Sequence, residues 1–405
     1  MKKGGLQLEK DGSVTLGGVP YRAFGVNCFN LASQCIGKED SDPTLAIKTL
    51  QTLKENGVKV IRFSTGGFYP SGWKDFMDHP EKWYKIYDAV FETASKLEIG
   101  LITSFFWTKM FCDVFDEGCA VAFANPWNNP SKSLAFMKDF TQTFVKRYAE
   151  SPAAFMWEYG NEHNLDVDIP WIGLGRPLPE GSKRTRRTQW EDMETTKGHG
   201  ELLQWWASVV KEADPYKRIT GTGDAVTRPC AYNLAFHNQD MTPDKCKEDH
   251  LKAMALLNPD GIDAMSIHEY STFTFIKKEY GLDIHGKPGL LGEDIGTNNW
   301  DERMQLFRWY AKQLGKTTYL GEFGVGTGDP YDIAEYDMHF RAIFDAVVKN
   351  DIAMALYWNY DYNTEQIPGD LTDHGTGVEY SCNERWEKGR HILGLIKEYN
   401  EKLDN

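Results

Sequence analysis

Phe155-Met156-Trp157-Glu158-Tyr159-Gly160-Asn161-Glu162 is the stretch from which the rest of the chain is read. A helix-like run and a Ser151-Pro152 break precede it, so the apolar segment Ala153 to Trp157 predicts a short buried strand. That strand ends by delivering Asn161 and Glu162. A glutamate taken at random sits on the surface, but a second apolar run, Thr317-Thr318-Tyr319-Leu320-Gly321, also ends in an acid, Glu322, followed by Phe323-Gly324. Two acids delivered by strand ends are what a glycosidic bond requires: one protonates the leaving oxygen and the other attacks the anomeric carbon. Their distance in sequence is no obstacle, because in a parallel barrel the fourth and seventh strands open onto the same face.

Working outward, the same strand-then-helix alternation recurs. Residues 1–20 read as a hairpin around Asp11-Gly12, and Tyr21 to Phe29 as a first barrel strand holding Asn27. Asp42-Pro43 opens a helix with Leu45, Ile47, Leu50 and Leu53 on one side, closed by Asn56-Gly57. Val58 to Phe63 is a second strand, carrying Arg62; a helix after Pro80 runs to Leu97. Ile99 to Trp107 is a third, and its helix bears Phe136, Phe140, Phe144 and Tyr148 at helical spacing, a core-facing stripe.

After Glu162 a polar stretch, residues 163–197, forms a long loop that reads as a cleft wall, with Trp171 and Trp190 as candidate sugar platforms. The helix Leu202 to Ala213 follows. Arg218 to Thr222 is a weak fifth strand, Gly261 to Ile267 a sixth ending in His268-Glu269-Tyr270, and Ile352 to Tyr357 an eighth ending in Trp358. Ser381 to Leu403 closes the chain as a helix. The reading is α/β: one (β/α)8 TIM barrel domain over 1–405, with long loops at its C-terminal face.

Composition agrees with one large globular domain: 405 residues, 41% hydrophobic and 26% charged. No apolar run approaches the roughly 18 residues of a membrane span. Acidic residues outnumber basic ones, 59 to 45, which argues against nucleic acid as a partner. The one basic run, Lys183-Arg184-Thr185-Arg186-Arg187, reads as a solvated loop. Seven cysteines lie scattered; Cys28 with Cys35 and Cys112 with Cys119 are spaced for local disulfides, though free thiols are expected. No ligand cluster with zinc spacing occurs, so neither metal nor cofactor is expected. The first ten residues lack the apolar core of a signal peptide.

The strand ends together present Asn27, Arg62, Trp107, Asn161-Glu162, His268 with Tyr270, Glu322 and Trp358. With these residues in this order the chain resembles the retaining glycoside hydrolases of clan A, most closely family 5, the cellulase and β-mannanase family, over about residues 20 to 365. The resemblance implies Glu162 as acid/base and Glu322 as nucleophile. It implies substrate-binding roles for Asn27, Arg62, Trp107, Asn161, His268, Tyr270 and Trp358, with Arg62 and Tyr270 also donating to the Glu322 carboxylate. A polysaccharide or oligosaccharide would be the partner and an extracytoplasmic location the expectation. Two positions depart from the family pattern: Trp107 stands where many cellulases carry a histidine, and His163 replaces the proline after Asn-Glu. An endo-acting β-1,4-glucanase or β-mannanase is the reading; an exo-acting β-glycosidase, a non-catalytic carbohydrate-binding protein and a metal-dependent amidohydrolase are the alternatives.

Overall fold

The computed structural model describes residues 3–37, 39–66, 70–169, 174, 176–270, 300–324, 333–360 and 387–404. Three short strands come first, β1 (Leu6–Leu8), β2 (Val14–Leu16) and β3 (Val19–Pro20), β1 pairing antiparallel with β2 around Asp11-Gly12 and β2 with β3 around Gly17-Gly18. Eight parallel strands follow: β4 (Ala23–Asn27), β5 (Val60–Ser64), β6 (Gly100–Phe106), β7 (Ala154–Gly160), β8 (Thr220–Gly221), β9 (Ala264–Tyr270), β10 (Thr317–Gly324) and β11 (Met354–Tyr357). They close in the order β10-β11-β4-β5-β6-β7-β8-β9, the (β/α)8 barrel the alternation predicts.

The strands read as unbroken apolar runs because both faces are covered. Val26, Ile61, Phe63, Leu101, Phe105 and Trp157 pack outward into the helix layer, whereas Val60, Ile102, Met156, Ile219, Tyr319 and Leu356 fill the barrel. Leu6 and Val14 join the inner cluster, and Ile219 N–H donates to the Leu6 carbonyl (3.1 Å), so the N-terminal sheet plugs the closed end. The chemistry is left to the opposite end. Outside, Phe140, Phe144 and Tyr148 of the stripe on helix Lys132–Tyr148 are buried and Phe136 is partly so: Phe136 stacks on Phe140 at 5.9 Å, and Phe140 packs edge-on against Trp73 at 5.0 Å.

Three expectations change. The fifth strand shrinks to two residues where its neighbours press close: a Cβ on Gly221 would lie 2.2 Å from Met156 Cε. The long loop after β7 contains a helix, Gln189–Asp192, and the next helix begins already at Thr196. The basic run within that loop is not simply solvated. Arg187 is 4% exposed and pairs with Asp113 and Asp192, and Arg184 binds Asp192 at 2.5 Å. Arg184 and Arg187 turn inward to buried carboxylates while Lys183, Thr185 and Arg186 stay in solvent. These charges staple the loop to the wall that carries Asp113, on the turn Lys109–Phe115.

The described cysteines are free thiols, with Cys112 and Cys119 buried in mutual hydrogen-bond contact. Cys382, Trp171 and the start of the closing helix lie outside the described residues; that helix is described over Glu387–Asp404. Trp190 is 85% exposed. Among the described residues no helix is long and apolar enough to cross a membrane.

Candidate active site

Glu162 stands just past β7 on a tightly pinned turn. The Gly160 carbonyl accepts from Ser104 Oγ (2.9 Å) and Arg62 Nη2 (3.2 Å), and Glu162 N–H donates to the Gly223 carbonyl (2.8 Å). Glu162 itself takes a left-handed conformation, φ 54°, a conformation uncommon for a residue with a side chain. Gly160 has no room for a side chain: a Cβ there would lie 2.4 Å from the Phe106 carbonyl and 2.8 Å from His163 Nε2. His163, in the position of the family's proline, is buried and its Nε2 lies 2.8 Å from that same carbonyl.

Glu322 reaches the site through an irregularity in β10. Leu320 pairs with Ile267, but Glu322 pairs with His268, so Gly321 is an extra residue in the ladder. Strict alternation from the inward Tyr319 would turn Glu322 outward; the bulge re-aims it inward. Gly321 is required at that point, since a Cβ would lie 2.7 Å from Ser266 Oγ and 2.9 Å from His268 Nε2.

Arg62 ties the site together. Its side chain is fully buried, with Nε donating to Glu158 Oε1 (2.7 Å) and Nη1 to Glu322 Oε1 (2.8 Å) and Asn27 Oδ1 (3.0 Å). Nη2 donates to the Gly160 carbonyl and to Asn161 Oδ1 (3.0 Å). The planar fork thus satisfies partners on three strands and the turn after β7. Burial alone would lower its pKa; the carboxylates of Glu158 and then Glu322 override this and raise it. Trp107 covers the guanidinium, its ring centroid 4.4 Å away, and stacks on Trp358 at 6.1 Å, which in turn stacks on Phe29 at 5.5 Å.

His268 Nδ1 lies 3.0 Å from Glu162 Oε1 and 3.3 Å from Glu322 Oε1. Burial, reinforced by Arg62 and opposed by Glu322, lowers its pKa to about 4, so the ring is neutral at neutral pH. The Glu162 side chain keeps 30% of its surface open to the cleft. Its deep seat raises its pKa to about 7; Arg62 opposes the rise and Asp166 adds to it. One ligand atom each from Glu162, His268 and Glu322 lie within 4.8 Å of one another, a spacing that also suits a metal ion. Arg62 already supplies positive charge to Glu322, which makes a second cation there costly.

Of the residues singled out from sequence, the structure gathers Arg62, Asn161, Glu162, His268, Glu322, Trp107 and Trp358 at one end of the barrel. Asn27 and Arg62 are both 0% exposed, with Arg62 Nη1 donating to Asn27 Oδ1 and to Glu322 Oε1. Asn27 Nδ2 donates to the Gly321 carbonyl (2.8 Å), which places Asn27 as a support for Arg62 and for the bulge. Trp107, 2% exposed, is turned to Arg62 more than to the cleft. Tyr270 ends β9 opposite Gly324, and its side chain lies outside the described residues. Glu158 and Tyr319 were missed as site residues. The available signal was the two-residue period, which sets Glu158 on the same inward face as Met156 and Gly160.

Comparison with curated proteins by sequence gives no match. Among solved structures, the endo-1,4-β-mannanase of Rhizomucor miehei is similar over 98% of this chain and 99% of its own, at TM-score 0.60 and 14% identity. The endo-β-1,4-mannanase of Thermotoga petrophila gives 0.56 and 13%, covering 96% of this chain and 79% of its own. An exo-β-1,4-mannosidase from Opitutaceae bacterium strain TAV5 gives 0.59 and 15%, covering 98% and 62%. At these identities the likeness is one of fold. The model of the family described as cellulase (glycosyl hydrolase family 5) matches residues 17–364, and by that match over most of its length the chain belongs to glycosyl hydrolase family 5 and is a glycoside hydrolase.

Proposed function

We propose that this enzyme cleaves β-1,4-linked polysaccharide, β-mannan or β-glucan, within the chain and with net retention at the anomeric carbon. The observation that carries the reading is the close approach of the two carboxyl groups, with ligand atoms of Glu162 and Glu322 within 4.8 Å. Retaining glycosidases place the pair about 5–5.5 Å apart, whereas inverting ones need about 6.5–9.5 Å to admit a water.

In this mechanism Glu162 holds a proton near neutral pH and gives it to the leaving oxygen. Glu322, charged and aimed by Arg62, attacks C1 to form a glycosyl-enzyme ester. Glu162, now a carboxylate, takes a proton from the water that hydrolyses the ester. His268 is neutral and can offer a ring N–H to whichever carboxylate is charged at each step. Because Asn161 Oδ1 accepts from Arg62, its amide N–H groups are left to face the sugar 2-hydroxyl. Trp358 supplies an apolar floor. Mannan is the preferred polymer because the similar solved structures are mannanases and mannosidases.

The test is product release from mannan, glucomannan, β-1,4-glucan, mixed-linkage glucan and xylan, with the first-formed anomer read by proton NMR. A β-anomer and a ladder of oligosaccharides are expected; an α-anomer would sink retention. The structural likeness to an exo-mannosidase favours one second reading, exo attack on the same barrel, and release of a single small sugar from the chain end would establish it.

A pH prediction follows from Glu162. The group must be protonated to act, so kcat/KM should fall about tenfold per unit as pH rises past about 7, the folded-state pKa. With an aryl glycoside whose phenolate leaves without a proton, Glu162→Ala should lose that alkaline limb for the first step. A limb unchanged in Glu162→Ala would exclude Glu162 as the acid.

A further inference from the structure

Arg62 holds two carboxylates, and only Glu322 is needed to attack the sugar. The other, Glu158, is fully buried within the barrel and touches no part of the cleft. Both its oxygens are committed: Oε1 accepts from Arg62 Nε at 2.7 Å, and Oε2 accepts from the Tyr319 hydroxyl. The cradle is tight, since a Cβ on Gly223 would lie 2.9 Å from Glu158 Cδ. A buried charge is costly to desolvate, and a neutral glutamine fits the same volume, so the charge itself calls for an explanation.

We propose that Glu158 is a positioning residue that shares the charge of Arg62 and thereby sets the pH range in which Glu322 and Glu162 work as nucleophile and acid. The inference rests on the assignment of those two roles given above. The charged and titratable groups around it are few. Arg62 comes from β5, Tyr319 and Glu322 from β10, His268 from β9, and Glu162 with Asp166 from the turn after β7. Just past β8, Gly223 comes close to Glu158, and Asp224 lies 3.9 Å from His199 Nε2. With Glu162 protonated and His268 neutral, Arg62 stands between two anions, Glu158 and Glu322, while Asp166 is paired with Arg176 at 3.3 Å. Without Glu158 the guanidinium would act on Glu322 undivided, making it a weaker base and nucleophile. It would also pull harder on the Glu162 proton, which it already disfavours. The field of Glu158 reaches His268 as well, where it favours the protonated ring.

The experiment is the pH profile of kcat/KM for Glu158→Gln beside Glu158→Asp and the wild type. Glu158→Gln is expected to move the acidic limb down by about one pH unit, the scale of a buried neighbouring charge, and the alkaline limb in the same direction. Glu158→Asp, which keeps the charge, should lower turnover but hold both limbs near their wild-type positions. Reduced turnover in Glu158→Gln with both limbs unmoved would overturn the proposal. If Glu158→Gln does not fold, Tyr319→Phe is read in its place: it removes the hydroxyl that shares Glu158 and leaves that carboxylate to act more strongly on Arg62, so both limbs should move up, and limbs that stay where they are overturn the proposal. Activity surviving in Glu322→Gln would instead remove the assignment of roles on which the inference stands.

Discussion

Glu322→Gln is expected to lower turnover on polysaccharide by about 10⁴-fold or more, the scale on which removal of a covalent nucleophile is felt. The change is nearly isosteric. Glutamine keeps an oxygen for Arg62 Nη1, 2.8 Å away in the wild type, and for His268 Nδ1 at 3.3 Å, so the fold should persist. What disappears is the negative charge that attacks C1 and stabilises the oxocarbenium-like transition state. The loss should fall on kcat with KM little changed, because Glu322 is 3% exposed and adds little to ground-state binding. A smaller variant, Glu322→Gly, leaves space for an external nucleophile. Azide with an activated aryl β-glycoside should then restore turnover and yield the α-glycosyl azide. Near-wild-type turnover in the glutamine variant, or a β-azide product, would refute the assignment.

The fold was legible because strands buried on both faces must be apolar along their whole length, and such runs between turn signals are easy to see. All eight barrel strands overlap the predicted runs at most of their positions. The fifth, read as Arg218 to Thr222, is weak in sequence and short in structure for one reason: two glycines, Gly221 and Gly223, let β7 and its turn approach too closely for a regular side-chain ladder. The site was legible where a residue stands at a strand end. Depth is what sequence position does not display: Asn27 ends β4 and Arg62 lies inside β5, two residues before its end, and both side chains are buried. The inward turn of Arg184 and Arg187 was hidden for a related reason: their partners Asp113 and Asp192 come from two separate loop segments, and no local pattern announces the pairing.

Arg62→Met should cost more stability than any other single change at the site, about 3–5 kcal/mol in denaturant unfolding. Methionine fills much of the volume, so the loss comes chiefly from electrostatics and hydrogen bonding. Glu158 and Glu322 are left as buried carboxylates with no cation between them, and Gly160, Asn27 and Asn161 each lose a donor. The sign of the pH dependence follows. Without the guanidinium, the two acids in the folded variant bind protons more readily than in the unfolded chain, so their folded pKa values stand above the unfolded ones. Such groups destabilise the fold above the folded pKa, and stability recovers as pH falls through it. The gap between variant and wild type should therefore narrow on acidification. A gap that widens toward acid would mean that Glu158 and Glu322 are not held as anions by Arg62. Activity should fall together with stability, since nothing then aims Glu322 at C1. Refolding of Arg62→Met at low pH without return of turnover would separate the two roles of the guanidinium: support of the barrel mouth through charge, and alignment of the nucleophile through geometry.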